Sequence, residues 1–192
     1  MTSHVKDRRQ ELLQAAARLF REKGFAKTTV RDISRAVGLQ SGSLFHHFAT
    51  KEDILYGLMV DVIELNTARL QRAFDEADSA ASRVLALIRA ELEAIHGETR
   101  DAMTVLVFEW RQLTEGRRED VLNLRDRYEA LWLRALEGLA AEGRTAVESF
   151  TLRRLLVGAI SWTVNWYKPT GSMDLDTLAE QVLTLALKNP EA

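Results

Sequence analysis

Between Gln40 and Lys51, in the run QSGSLFHHFATK, the spacing turns Ser43, Phe45, His46 and His47 to the outer face of a short helix and Leu44 and Phe48 to its inner face. Hydroxyls hydrogen-bond base edges or phosphates, and flat apolar groups meet the thymine methyl, so such a row suits the major groove of duplex DNA. Catalysis has far less to work with. His46 and His47 are adjacent, diverge by about 100° on a helix and cannot share one metal. The chain contains no HExxH pattern, Walker loop, GxSxG elbow or dinucleotide fingerprint. His96, beside Glu91, Glu93 and Glu98, reads as a solvated histidine at a helix end. No catalytic residue, metal site or cofactor is expected, and the chain reads as a non-enzyme.

The elements that must hold this row lie just upstream, in TTVRDISRAVGLQ. A helix starts at Thr28 or Thr29, whose hydroxyl accepts from a free N–H of the first turn. Val30, Ile33, Ala36 and Val37 follow at helical spacing and give it one buried face. Gly38 ends it, because a helix terminus favours a residue tolerant of positive φ. Leu39 plugs the gap between the helices and Ser41 caps the second. Two short helices about a tight turn are the layout of a helix-turn-helix.

Charge is distributed to match. Residues 1–51 carry Lys6, Arg8, Arg9, Arg18, Arg21, Lys23, Lys27, Arg31, Arg35 and Lys51 against Asp7, Glu11, Glu22 and Asp32, a net of +6. The formal total is −2, which leaves −8 for residues 52–192. A basic head on an acidic body draws only the head to a phosphate backbone. Arg8 and Arg9 read either as a phosphate or minor-groove arm or as an ordinary basic tail.

The whole chain reads as all-α. Its 192 residues, 46% hydrophobic, are enough for one sizeable core or a small head on a larger body. Only Pro169 and Pro190 interrupt helices, both near the C-terminus, and no alternating strand pattern occurs. Nine helices are expected, at about 5–23, 28–37, 41–47, 51–77, 81–96, 101–113, 117–141, 149–167 and 174–188, with boundaries uncertain by roughly 2–4 residues. The expected division is a DNA-binding domain over 1–51 and an effector-binding and dimerisation domain over 52–192. With no cysteine, no apolar leader in MTSHVKDRRQ and no run near the roughly 20 apolar residues of a membrane span, the chain is expected to be soluble and cytoplasmic.

All four tryptophans, Trp110, Trp132, Trp162 and Trp166, follow residue 100. Such rings fill a core or a dimer interface, or line a small-molecule cavity between helices. The apolar run LLVGAISWTVNWY and the periodic Leu175, Leu178, Val182, Leu185 and Ala186 mark the eighth and ninth helices as dimer contacts, with Gly158, Ala159 and Ser161 allowing close approach. A homodimer is expected, since one short recognition helix reads only a few base pairs of a palindrome.

The run from Leu12 to Leu55, with its AA..LF helix, KGF turn, TVRDI, AVGL turn, GSLFHHF and KEDIL, resembles the N-terminal domain of the TetR family of bacterial transcriptional regulators. Phe45 stands where many members carry tyrosine. The resemblance implies contact to double-stranded DNA by Arg31, Gln40, Ser41, Gly42, Ser43, Phe45, His46 and His47, with Lys51 on phosphate. It implies a repressor freed from a palindromic operator by a small effector bound in the body. The segment from Asn165 to Gly171, NWYKPTG, is similar to members responsive to acyl-CoA thioesters of lipid or steroid breakdown. On that reading Met103, Val107, Trp110, Tyr128 and Trp132 line an acyl wall, and Arg111, Arg117 and Arg118 meet the CoA phosphates. Two other classes stay open: a small-molecule-binding protein or enzyme with an inert head, and a nonspecific nucleoid-type protein.

Overall fold

The computed structural model describes residues 2–188, the side chains of residues 2–7, Ser41 and Ser43 excepted. Among the described residues there are nine α-helices and no strand: α1 Thr2–Lys23, α2 Val30–Ala36, α3 Ser41–Leu44, α4 Lys51–Glu76, α5 Ala80–His96, α6 Arg100–Glu109, α7 Glu115–Ala141, α8 Ser149–Trp162 and α9 Leu175–Ala186. Single 3₁₀ turns, Trp110–Gln112 and Thr163–Asn165, follow α6 and α8. The expected single helices over 101–113 and 149–167 are therefore each an α-helix with a tightened end. After α8, the Thr163 hydroxyl donates to the Ile160 carbonyl at 2.6 Å, competing with the regular ladder. Pro190 lies outside the described residues.

Local chemistry sets the ends. The Thr29 hydroxyl accepts from the Asp32 N–H at 3.1 Å while the Asp32 carboxylate accepts from the Thr29 N–H at 3.0 Å, a reciprocal cap that starts α2. The Thr29 hydroxyl, which also donates to the Asp32 carboxylate at 2.7 Å, and then the Thr29 N–H hold the Asp32 carboxyl below its ordinary pKa. Thr28 is no cap: it is fully buried, its hydroxyl 2.9 Å from the Gly24 carbonyl. Gly38, at φ +68°, ends α2 with its own N–H on Arg35 O and the Leu39 N–H on Ser34 O, the double closure that a left-handed residue permits. Asp174 caps α9 through the Thr177 N–H at 2.8 Å.

The helices pack as two compact units. The first comprises Met1–Ile63 and Arg100–Leu124, the second Glu64–Thr99 and Arg125–Ala192. In the first, Leu12 and Phe20 of α1, Ile33 of α2, Leu44 of α3 and Leu55 of α4 form one core. Ile33 and Leu44 are fully buried, each contributing about 1.5–3 kcal/mol that docks its short helix. The second core joins Leu87 and Ile88 of α5, Trp132 and Leu136 of α7, Leu156 of α8 and Val182 of α9. Both α4 and α7 give their first part to one unit and their remainder to the other.

Candidate nucleic-acid interface and effector site

In the first unit, α2, the Gly38 turn and α3 form the helix-turn-helix. α3 is shorter than the expected 41–47: its regular part stops at Leu44, and the chain turns through Phe45–His47 so that Phe48 is buried. The His47 and Phe48 N–H groups both bond the Leu44 carbonyl, at 2.9 and 3.0 Å. Gln40, not Ser41, is the residue preceding the helix; its backbone is extended and its side chain makes no cap bond. Ser41 is the first residue of the helix.

Arg31, Gln40, Gly42, Phe45 and His46 are exposed and His47 is half-buried. Phe45 is 53% exposed, which leaves its ring free to meet an apolar group such as the thymine methyl. A Cβ at Gly42 would meet nothing within 4 Å, so the backbone there is open to close approach. The side chains of Ser41 and Ser43 lie outside the described residues.

Lys51 is placed differently from the phosphate contact expected of it. Its ammonium donates to the carbonyls of Phe25 at 2.8 Å, Thr28 at 2.9 Å and, more weakly, Ala26 at 3.4 Å, and it lies 4.3 Å from the Phe25 ring centroid. Its three donors close the turn between α1 and α2. Glu109 of α6 grips the same turn, accepting the Phe25 N–H at 3.0 Å. Arg8 pairs with Glu11 at 2.5 Å and donates to the Val37 carbonyl at 3.2 Å, while Arg9 pairs with Asp61 at 2.6 Å. Both arginines are thus tied to the protein and are not a loose arm.

The expected ligand wall is divided between the units. Met103 and Trp110 pack half-buried against the first core. Val107 is 55% exposed, and Arg111 is exposed with its guanidinium 5.9 Å from the Trp110 ring. Arg117 is committed inside the first unit: it bonds Asp53, lies 3.7 Å from Glu52 and stacks over Tyr56 at 5.1 Å. Its hydrogen bond, foremost, holds the Asp53 carboxyl below its usual range, and the Thr114 N–H does the same for Glu52.

Tyr128 and Trp132 belong to the second unit and meet there a charged cluster that sequence reasoning missed. Arg153 of α8 is 2% exposed and bonds Glu129 of α7 through Nε and Nη2, each at 3.0 Å, and Glu91 of α5 through Nη1 at 3.1 Å. Burial works against its charge, but Glu91 and Glu129 more than offset that and raise its pKa. The guanidinium lies 4.3 Å from the Trp132 ring. One signal was available: Glu91 continues the apolar series Val84, Ile88 and Ile95, and Arg153 heads the series Leu156 and Ile160. A charge on a buried stripe requires a partner. His96 is also not the solvated histidine expected; it is half-buried, 2.7 Å from Thr163 Oγ1, with its ring tilted by 57° against that of Tyr167 at 4.7 Å.

A recognition helix with one face open and the other packed on the core of the first unit is the layout of a helix-turn-helix DNA-binding domain. The chain belongs to the TetR family: the family described as bacterial regulatory proteins, tetR family, matches residues 12–56, and the tetracyclin repressor-like C-terminal domain matches residues 77–189. It is a DNA-binding transcriptional regulator. The HTH-type transcriptional repressor KstR2 of Mycolicibacterium smegmatis is 32% identical over 189 residues, spanning 96% of this chain and 91% of that protein. Among solved structures, the superantigen PfiT is 49% identical with a TM-score of 0.80, over 94% of this chain and 96% of PfiT. The ketosteroid transcriptional regulator KstR2 of Mycobacterium tuberculosis is 28% identical with a TM-score of 0.83, over 95% of this chain and 96% of that one. Among the described residues, no helix is long and apolar enough to cross a membrane.

Proposed function

We propose that this regulator is a repressor, bound as a homodimer to a palindromic operator and released by a small-molecule effector of the acyl-CoA thioester class. The observation that carries the repressor reading is the exposed surface of Gln40, Gly42, Phe45 and His46, presented by helices whose opposite faces are buried. Arg31 contacts the backbone from α2; Ser41, Ser43 and His47 complete the reading surface; Lys51 orients it by holding the α1–α2 turn. The relatives named as KstR2 repressors support the direction of control, and the ketosteroid description of one supports an effector from lipid or steroid breakdown. A protein that acts on operator DNA works in the cytoplasm and needs no catalytic centre.

The dimer forms through α8 and α9, where Leu155 is 60%, Trp162 67% and Leu185 69% exposed. Apolar surface of that kind is what an interface covers. The effector sits in the second unit, with Tyr128 and Trp132 in its wall. Occupancy acts through α4 and α7, which continue into the first unit, and changes the separation of the two recognition helices. A 100-fold loss of operator affinity requires a coupling of about 2.7 kcal/mol.

Selection from a random duplex library at near-physiological salt, repeated with medium- and long-chain acyl-CoAs, tests both parts. A palindrome that acyl-CoA abolishes supports the whole reading. A palindrome indifferent to the panel keeps the repressor and discards the effector class, and no enrichment discards the operator reading.

A further inference from the structure

Gly57 is buried in the interior of α4, where alanine would make the more stable helix. What the glycine leaves room for is specific. A Cβ there would lie 3.2 Å from Arg9 Nη2, 3.3 Å from Phe48 Cε1 and 3.9 Å from Leu13 Cδ2. The contact with Phe48 is closer than the roughly 3.5–4.0 Å at which carbon atoms pack best. The guanidinium of Arg9 is held across this position by Asp61, one turn further along the same face of α4, through bonds of 2.6 and 3.4 Å. It lies 5.5 Å from the centroid of the Phe48 ring. Gly57 and Arg9 therefore wall the seat in which that ring sits.

Phe48 is the residue that closes the turn after α3. Its N–H and that of His47 both bond the Leu44 carbonyl, and the side chains of Leu44 and Phe48 are 0% and 6% exposed. Phe45, His46 and His47 are strung between these two buried posts, with Phe45 and His46 open to solvent. A cramped methyl at position 57 displaces its neighbour by a few tenths of an ångström. Hydrogen bonds to base edges feel a shift of that size, because the whole range of good N–H···O distances spans only about 0.5 Å.

We propose that Gly57 and Arg9 determine base specificity without touching a base: together they seat Phe48, and through it they set the angle at which Phe45, His46 and His47 enter the major groove. This rests on the reading surface proposed above and adds what aims it. Arg9 is a positioning residue and its charge is spent on Asp61, not on a phosphate.

The test uses the full-length protein, with selection from a random duplex library followed by affinities for the selected palindrome and its single-base variants. Gly57→Ala should keep or raise Tm, since alanine is the better helix residue, and yet lower discrimination at one or more base positions by about fivefold, the low end of what one base pair contributes. Phe48→Leu leaves a gap in the same seat and should also lower it. The double variant Gly57→Ala with Phe48→Leu, whose new methyl refills that gap, should restore it. Arg9→Met should change discrimination while the slope of log affinity against log salt stays the same. An unchanged base profile in Gly57→Ala overturns the proposal. So does a double variant that recovers Tm but not the profile, which would give the glycine a packing role alone, and so does a slope smaller by about 0.9 in Arg9→Met, the mark of a lost phosphate contact. Phe45→Ala and His46→Ala, run alongside, separate the two readings. If they shift the profile and Gly57→Ala does not, the seat alone is overturned; if none of the three shifts it, the reading surface fails and the proposal with it.

Discussion

Replacing Lys51 with methionine separates a structural clamp from a phosphate contact. The side chain makes two short ammonium-to-carbonyl bonds, 2.8 Å to Phe25 and 2.9 Å to Thr28, and lies against the Phe25 ring. A hydrogen bond from a charged donor contributes about 1.5–3 kcal/mol, and an exposed cation–π contact about 0.5–1 kcal/mol. Lys51 is half-exposed, water replaces part of this, and methionine keeps the apolar stem, so the expected loss is about 2–3 kcal/mol. For a chain of this size that lowers Tm by about 4–12 °C. Operator affinity should fall for all sequences alike, because the turn that orients α2 loosens. The slope of log affinity against log salt should stay unchanged, since no phosphate loses its cation. Thermal melts and binding at several salt concentrations read both quantities. An unchanged Tm with a slope smaller by about 0.9 refutes the reasoning, because that is the mark of one lost phosphate contact.

Three further outcomes follow from the geometry. Arg153→Met leaves Glu91 buried and Glu129 half-buried without a counter-charge and should cost about 3–5 kcal/mol by urea denaturation, most of it restored in R153M/E91Q/E129Q; equal loss in both would assign the effect to packing. The Asp53 carboxyl has a lower pKa folded than its ordinary 3.8, so it contributes stability above that value and loses it as pH falls through the folded pKa. Asp53→Asn should therefore lower Tm by a few degrees at pH 7 and by progressively less as pH falls below 3.8, and a constant offset across that range would contradict the linkage. Leu155→Glu with Trp162→Glu places charge on the exposed apolar face of α8 and should give a monomer by sedimentation with retained helicity; an unchanged dimer would move the interface elsewhere.

The parts legible in the sequence are those whose cause is local. Gly38 and the Thr29 hydroxyl that starts α2 lie within a few residues of what they determine. The length of α3 was less legible, because the turn after Leu44 is set by burial of Phe48, a tertiary demand. Lys51 showed its charge but not its acceptors: the carbonyls of Phe25 and Thr28 lie 26 and 23 positions away. The Arg153 pairs span 62 and 24 positions, and only the charge on an apolar stripe pointed to them.

That difference changes what the charge of the head means. Of its ten basic residues, Lys51 is spent on carbonyls, and Arg8, Arg9 and Arg21 pair with Glu11, Asp61 and Asp101. Two of those acids, Asp61 and Asp101, lie beyond residue 51 in sequence but inside the same packed unit, so a count that stops at residue 51 overstates the positive field. Arg18, Lys23, Lys27, Arg31 and Arg35 remain exposed. Arg31 and Arg35 share a face of α2 four residues apart, on the helix that packs beside α3. Phosphate attraction thus falls to a few exposed cations around the reading surface, while the inward cations fix its shape. Affinity and geometry are carried by different members of one basic segment, and salt weakens the first far more than the second.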